Sequence, residues 1–107
     1  MSVLKVNVLA ALLGLVSVPG WALQSFEGTV KALEPTYLPG TVAFDMDAGN
    51  AACPAGKQLR WQKPDVENNK AVYSTVMAAL ISKNKIRVYI NDNDSTCVIQ
   101  YLHLLSN

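Results

Sequence analysis

The sequence predicts a small α+β domain that is mostly β-sheet, with one helix and one disulfide, and three observations support this prediction. Beyond residue 22, short β-branched and apolar runs alternate with clusters of proline, glycine, asparagine and aspartate, as strands alternate with turns. The segment from Asp65 to Ser82 instead repeats its apolar residues at helical spacing. The chain contains only two cysteines, Cys53 and Cys97.

The first 22 residues have the features of a secretory signal peptide. Lys5 provides a positive start, residues 6–18 form an apolar run, and small residues at Gly20 and Ala22 mark its exit. The run is too short for a comfortable membrane span. We expect cleavage after Ala22, with Gly20 as the alternative. This leaves a single domain, residues 23–107, in a secreted or periplasmic location with no membrane anchor.

The two cysteines are expected to pair, because an exported chain enters an oxidising compartment. A bond between Cys53 and Cys97 closes a loop of about 45 residues, for which the chain-entropy model gives roughly 4 kcal/mol. A domain of about 85 residues buries only a modest core, so this crosslink would supply a large share of its stability.

The charge balance argues against two classes of partner. The chain carries nine Lys and Arg residues against eight Asp and Glu, and one of the nine, Lys5, leaves with the signal peptide. The remaining chain is close to neutral and has no basic block, so we expect no nucleic-acid partner. The same neutrality gives little attraction to anionic membranes.

Three strands are predicted before the helix. The first, Ser25–Leu33, is followed by prolines at positions 35 and 39, which cannot donate to a sheet ladder. The second, Thr41–Met46, is β-branched and apolar, as a buried strand requires. The third, Lys57–Gln62, is short and places its leucine and tryptophan on one face, opposite Gln58 and Arg60.

The helix is expected to begin after Asp65, a good N-cap, with Asn68 and Asn69 as alternatives. It extends through Ser82, and Asn84 is the expected left-handed residue at its end. Its apolar face comprises Val72, Tyr73, Val76, Met77, Ala79 and Leu80.

Two strands, Lys85–Asn91 and Thr96–Leu105, are predicted to follow the helix. The pairing we expect places apolar partners together on the core side: Ile90 with Cys97, Val88 with Ile99, and Ile86 with Tyr101. Three apolar residues would then point outward: Val98, Leu102 and Leu104. A strand face with three apolar residues indicates one of two arrangements. Either the face is an interface between copies of the chain, or both faces of the strand are buried within one domain.

The resulting order, β-β-β-α-β-β, is typical of the oligonucleotide/oligosaccharide-binding (OB) fold, a five-stranded barrel, here with the helix plugging one end. We therefore expect an OB-like barrel. A simple α+β sandwich, with the helix on one face of a sheet, is the alternative.

In its architecture the chain resembles the B subunits of AB5-type bacterial toxins. The resemblance rests on the signal peptide, the element order, the single disulfide, and the stretch from Asn69–Tyr73 to Lys85–Ile90. Many uncharacterised bacterial secreted proteins also share this architecture and are the nearer match. The toxin resemblance implies an OB-like barrel, assembly into a ring and glycan binding, and it assigns no individual ligand-contacting residue.

Four residues are candidates for ligand binding: Trp61, Arg60, Arg87 and Tyr89. Tyr89 and Arg87 share the outward face of their strand, and an aromatic ring beside a cation can hold an acidic sugar or a protein carboxylate. Trp61 could stack on a sugar, but it alternates in phase with Leu59, which favours a place in the core. For the other three, a plain solvated strand face is the favoured interpretation and ligand binding is the alternative.

No catalytic constellation is visible. His103 is the only histidine, and both potential thiol partners are expected to be oxidised. The aspartate-rich segments 45–50 and 92–95 place oxygens at alternate positions, as calcium loops do, but neither reaches the spaced glutamate of such a loop. Turn formation explains them more simply.

We therefore expect a non-enzymatic domain, without metal or cofactor, that binds a glycan or a protein partner. An inhibitor or immunity-type protein that acts on a periplasmic or secreted enzyme is the alternative.

Overall fold

The computed structural model describes residues 22–107, so the predicted signal peptide lies, apart from Ala22, outside the described residues. These residues form an α+β domain that is mostly β-sheet. Its elements are β1 (Leu23–Gly28), β2 (Val30–Glu34), β3 (Val42–Met46), β4 (Leu59–Trp61), α1 (Val66–Ser82), β5 (Ile86–Asn91) and β6 (Ile99–Leu104). Within this range no helix is both long and apolar enough to cross a membrane.

The strands form two antiparallel sheets. The first sheet has the order β1-β5-β6 and the second sheet has the order β2-β3-β4. The prediction of a single strand over Ser25–Leu33 is wrong. The structure has two strands there, β1 and β2, because the ladder is interrupted at Thr29. Its backbone N–H donates to Asp47 Oδ1 at 2.7 Å, and its carbonyl accepts from the Asp47 N–H at 3.0 Å. The aspartate thus replaces a ladder partner at the point where the chain passes from one sheet to the other.

A single parallel bridge joins the two sheets. Arg60 of β4 lies beside Val98, and the Arg60 N–H donates to the Cys97 carbonyl at 3.0 Å. β4 has only three residues, so no continuous ladder forms between β4 and β6. The described residues therefore form six strands in two sheets, and the expected closed five-stranded barrel is not what they show.

The pairing of β5 with β6 differs from the predicted register. Ile90 lies opposite Ile99, and one further residue, Gln100, is then inserted as a bulge before Tyr89 pairs with Tyr101. A bulge inserts an unpaired residue and so reverses the alternation of side chains beyond it. Ile99 remains inside as predicted, whereas every later residue of β6 faces the opposite way.

The bulge corrects the predicted positions in the second half of β6. Leu102 pairs with Val88 and packs against the core instead of pointing outward. Tyr101, expected inside, is 58% exposed. Val98 is half-buried at the bridge, and Leu104 is 42% exposed opposite Ile86. An outward surface of Val98, Leu102 and Leu104 therefore does not form, and self-association of the chain stays a prediction.

One hydrophobic cluster unites both sheets and the helix. Apolar burial of this kind is the main favourable term in folding, about 25 cal/mol for each Å² removed from water. α1 packs against β2, β3 and β6. Asp65 caps the helix by accepting from the Asn68 N–H, as predicted, but the left-handed residue at its end is Lys83 rather than Asn84. The buried side chains include Val30, Val42, Phe44, Met46, Leu59, Val76, Ile86, Val88, Ile90 and Ile99.

The predicted disulfide between Cys53 and Cys97 is present, with 5.8 Å between the two Cα atoms. Both cysteines are buried. The bond ties the loop between β3 and β4 to the residue whose carbonyl receives the Arg60 N–H. It therefore adds a covalent link at the place where one isolated bridge is the only strand pairing between the two sheets of the described residues.

Asn69 is the one buried polar side chain among the described residues, and it lies on the first turns of α1. Its Oδ1 accepts from Trp61 Nε1 at 3.1 Å, while its Nδ2 donates to the carbonyls of Pro39 and Lys63 at 2.9 and 2.8 Å. A buried amide is stable only when its donors and acceptor are all satisfied. One side chain thus joins the helix, β4 and the loop before β3.

We expect Cys97→Ser to lower the free energy of unfolding by about 4 kcal/mol, because the crosslink spans 44 positions and restricts the unfolded chain. Urea denaturation of the purified protein measures this change. The double variant Cys53→Ser/Cys97→Ser should be no less stable than Cys97→Ser alone, since the bond is lost only once. A double variant as stable as the parent would show that the crosslink contributes nothing.

We expect Asn69→Ala to destabilise the fold by about 3 kcal/mol, because it leaves the Trp61 N–H buried without a partner and removes the hydrogen bonds to two part-buried carbonyls. Chemical denaturation gives the stability, and the emission of Trp61 reports the lost hydrogen bond. Asn68→Ala, one position earlier and exposed, is the matched control and should stay within about 0.5 kcal/mol of the parent. Equal effects of the two substitutions would contradict a central role for Asn69.

Candidate functional site

The outer face of the first sheet carries an exposed aromatic cluster. Because Ile86, Val88 and Ile90 point into the core, the residues between them on β5, Arg87 and Tyr89, must point outward. The bulge in β6 places their pairing partners on the same side. We call this surface the tyrosine face, made of Glu27, Arg87, Tyr89, Tyr101 and His103.

The Tyr89 ring contacts each of the other two rings of the tyrosine face edge to face. The Tyr89 ring centroid lies 6.2 Å from that of Tyr101 and 5.2 Å from that of His103, with interplanar angles of 86° and 70°. Such pairs contribute about 0.5–1.5 kcal/mol each beyond their buried area. The Tyr89 ring thus joins the three side chains into one contiguous aromatic group.

An ion pair borders these rings. Arg87 Nε donates to Glu27 Oε2 at 2.8 Å, Arg87 Nη2 lies 2.6 Å from the same oxygen in an ion pair, and the two residues pair across β1 and β5. The hydrogen bond to Glu27, and then the side chain of Tyr89, raise the pKa of Arg87, which keeps the guanidinium charged. Both contacts use the same carboxylate oxygen, and Glu27 Oε1 takes part in neither of them.

The structure separates the four residues that the sequence suggested for ligand binding. Arg87 and Tyr89 lie together on the tyrosine face. Arg60 lies on the outer side of the second sheet. Trp61 is only 8% exposed, bonded to Asn69 and covered by Lys63, whose Nζ lies 5.4 Å from the ring centroid. The tryptophan is therefore a core residue.

Sequence reasoning missed Tyr101, Glu27 and His103 as members of this surface. Tyr101 was assigned to the core because a regular ladder places it there, and a single bulge reverses this assignment. No residue type in the sequence marks Gln100 as the inserted position. Glu27 could have been found by pairing the first strand with the fourth predicted strand.

The aspartate-rich segments serve as turns. Asp94 Oδ1 accepts from the backbone N–H and the hydroxyl of Thr96, and these hydrogen bonds, chiefly that of the hydroxyl, lower the pKa of Asp94. The Asp47 carboxylate accepts the Thr29 N–H at the break between β1 and β2. Among the described residues, no three His, Cys, Asp or Glu side chains are grouped as a metal site requires.

No family model, curated protein or solved structure matches this chain. The resemblance to toxin B subunits therefore stays a prediction, and the function has to be inferred from the geometry of the surfaces.

We expect Thr96→Val to raise the pKa of Asp94, because the substitution removes the hydroxyl that stabilises its charged form. A pKa lowered by folding stabilises the native state above the unfolded-state pKa, and this stabilisation is lost as the pH falls through the folded-state pKa. The stability difference between parent and variant should therefore shrink at acid pH. NMR titration of the carboxylate measures the shift.

The same substitution at Thr75, whose hydroxyl bonds to Ala71 within α1, should leave the titration of Asp94 unchanged. If the pKa of Asp94 is the same in Thr96→Val as in the parent, the hydroxyl is not the main cause of the lowered pKa.

Proposed function

We propose that this chain is a secreted or periplasmic, non-enzymatic binding domain that takes a saccharide on the tyrosine face. The observation that carries the proposal is the position of Tyr89, Tyr101 and His103. They form a contiguous group of rings on the outside of a sheet, where they add nothing to the core. Exposed apolar surface that is contiguous usually marks a binding site.

The chemistry of the tyrosine face suits a sugar ring. Aromatic rings offer flat apolar area to the C–H faces of the sugar, while phenol hydroxyls and the imidazole supply hydrogen bonds at the edges. The Arg87–Glu27 pair adds one charged donor and one charged acceptor beside the rings. Such a combination, apolar area with a few placed polar groups, is typical of small-molecule sites.

The size of the surface favours a saccharide over a protein partner. The rings lie on two adjacent strands, β5 and β6, which in a sheet are about 4.8 Å apart. A stable protein interface covers about 800 Å² on each partner, far more than three rings and one ion pair supply. A protein partner, including an enzyme that this domain would inhibit, is the alternative. It would need to engage much of the surrounding sheet.

The strand connections support an OB-like, partly open barrel as the underlying fold. The chain runs from β1 directly into β2; β2 pairs with β3, and β3 pairs with β4. On the other side of the series, β1 pairs with β5, and β5 pairs with β6. The parallel bridge of Arg60 and Val98 brings the two ends of this series together. The OB fold is itself a partly open five-stranded barrel that binds oligosaccharides, and here β1 and β2 together would correspond to its first strand.

The proposed location rests on the signal-peptide features of residues 1–22 and is compatible with the disulfide, a bond typical of oxidising compartments.

A glycan array probed with the purified protein tests the proposed function, followed by calorimetry with the best ligand. We expect Tyr101→Ala and Tyr89→Ala each to weaken binding at least tenfold, which corresponds to about 1.4 kcal/mol for one lost stacking partner. Tyr101→Phe, which keeps the ring, should retain most of the affinity. Ile81→Ala on the helix, where the side chain is 75% exposed, is the matched control for loss of apolar surface.

The absence of any bound glycan would contradict the saccharide proposal. If a protein from periplasmic extract is retained instead, and Tyr101→Ala abolishes that retention, the tyrosine face serves the alternative, protein-binding function. Glycan binding that is indifferent to both tyrosine substitutions would place the site elsewhere on the domain.

A further inference from the structure

A cavity of about 260 Å³ opens on the outer side of the second sheet, away from the tyrosine face. It is lined by Tyr37, Thr41, Gln58, Arg60 and Gln62. Three of these five, the residues at 58, 60 and 62, alternate along β4 and its flanks and so point to one side of the sheet. Tyr37 and Thr41 come from the loop before β3, which is anchored by the Thr41 N–H bond to the Tyr37 carbonyl at 3.0 Å.

Arg60 is held in this cavity from two directions. Its backbone N–H donates to the Cys97 carbonyl, and its Nη2 donates to the Thr96 carbonyl at 3.3 Å. The side chain is half-buried, and its strand is paired with β3 on one side and bridged to Val98 on the other. The guanidinium is therefore positioned by the fold rather than left mobile in solvent.

The charge of Arg60 has no ion-pair partner within the described residues. The two ion pairs found there are Lys70–Glu67 and Arg87–Glu27. Of the nearby acids, Glu34 Oε2 accepts from Gln58 Nε2 at 3.0 Å, and Asp94 is bonded to Thr96, with only a small effect of Arg60 on its pKa. A half-buried cation attracts an anion more strongly than a fully solvated one does.

The rest of the lining is neutral and polar, with one exposed ring. Gln58 and Gln62 offer amide groups and Thr41 a hydroxyl, and Tyr37, 54% exposed, forms an aromatic wall. The volume lies just below the range of about 300–1,000 Å³ found for sites of drug-sized ligands. An occupant must therefore be small.

From these contacts we propose that the cavity is a second ligand site, which binds the carboxylate of a small polar molecule through the guanidinium of Arg60. Planar guanidinium and carboxylate groups pair through two parallel hydrogen bonds, which gives directional as well as electrostatic selection. The amides and hydroxyl of the lining bond to the remainder of the molecule, and Tyr37 packs against it. This site is separate from the tyrosine face and does not depend on the function proposed for it.

Two matched pairs of probes test the site: D-glucuronate against D-glucose, and N-acetylglycine against N-acetylglycinamide. Each pair differs mainly in the negative charge, and the two acids distinguish a sugar acid from the carboxylate of a peptide terminus. We expect saturable shifts of the backbone amide signals of Arg60, Gln62 and Tyr37 in NMR titrations with at least one acid. Neither neutral probe should shift them. Binding of glucuronate alone, or of N-acetylglycine alone, identifies the source of the carboxylate.

Substitutions distinguish this site from general charge attraction. Arg60→Gln should weaken binding of the acid at least tenfold, and Arg60→Lys should weaken it also, because lysine lacks the planar pair of donors. Lys31→Gln, which removes an exposed cation from the same sheet, is the matched control and should bind as the parent does. Because Arg60 also bridges to β6, Tyr37→Ala provides an independent variant in a surface loop, and we expect weakened binding from it.

The proposal is overturned if neither acid binds, if the neutral probes bind as tightly as the acids, or if Arg60→Gln and Lys31→Gln weaken binding equally. Amide spectra of the variants that keep the dispersion of the parent exclude misfolding as the cause of a loss.

Discussion

The junction between β4 and β6 is the contact on which the rest of this domain depends. The two sheets meet there through one parallel bridge with its backbone hydrogen bond, through side-chain hydrogen bonds such as that of Arg60 to the Thr96 carbonyl, and through the adjacent disulfide of Cys53 and Cys97. A three-residue strand cannot hold two sheets together by its ladder alone, because each backbone hydrogen bond contributes only about 1 kcal/mol net. The covalent link therefore maintains the distance between the sheets at which their inner faces can bury one common core.

The two outer faces differ in chemistry because strand alternation separates inner from outer residues independently in each sheet. The first sheet presents aromatic rings and a closed ion pair, and the second presents a cation without an ion-pair partner in the described part of the chain, surrounded by amides. Both outer faces rest on the same buried cluster, so polar changes on one surface need not alter the other. Such a division allows a small domain to keep two surfaces of different specificity on one core.

Much of the architecture follows from local patterns in the sequence. The helix with its Asp65 cap, the strands around Phe44 and Val88, and the disulfide could be predicted because each depends on periodicity, capping chemistry or compartment. The break at Thr29 and the bulge at Gln100 could not, because both arise from contacts with distant residues, Asp47 and the β5 ladder. The tyrosine face shows both cases: alternation along β5 predicts the outward position of Arg87 and Tyr89, whereas Tyr101 lies beyond the bulge and alternation alone places it on the wrong side.

The bulge at Gln100 also bears on how this chain could vary in length. Ile99 and Tyr101 pair with the consecutive residues Ile90 and Tyr89, so a relative that lacked the residue between them would retain a regular ladder and the same outward ring. It would lose only the acceptor that Gln100 Oε1 provides to Lys63 Nζ, at 3.3 Å. The outward position of the Tyr101 ring therefore does not require the extra residue, which lengthens β6 by one position relative to β5.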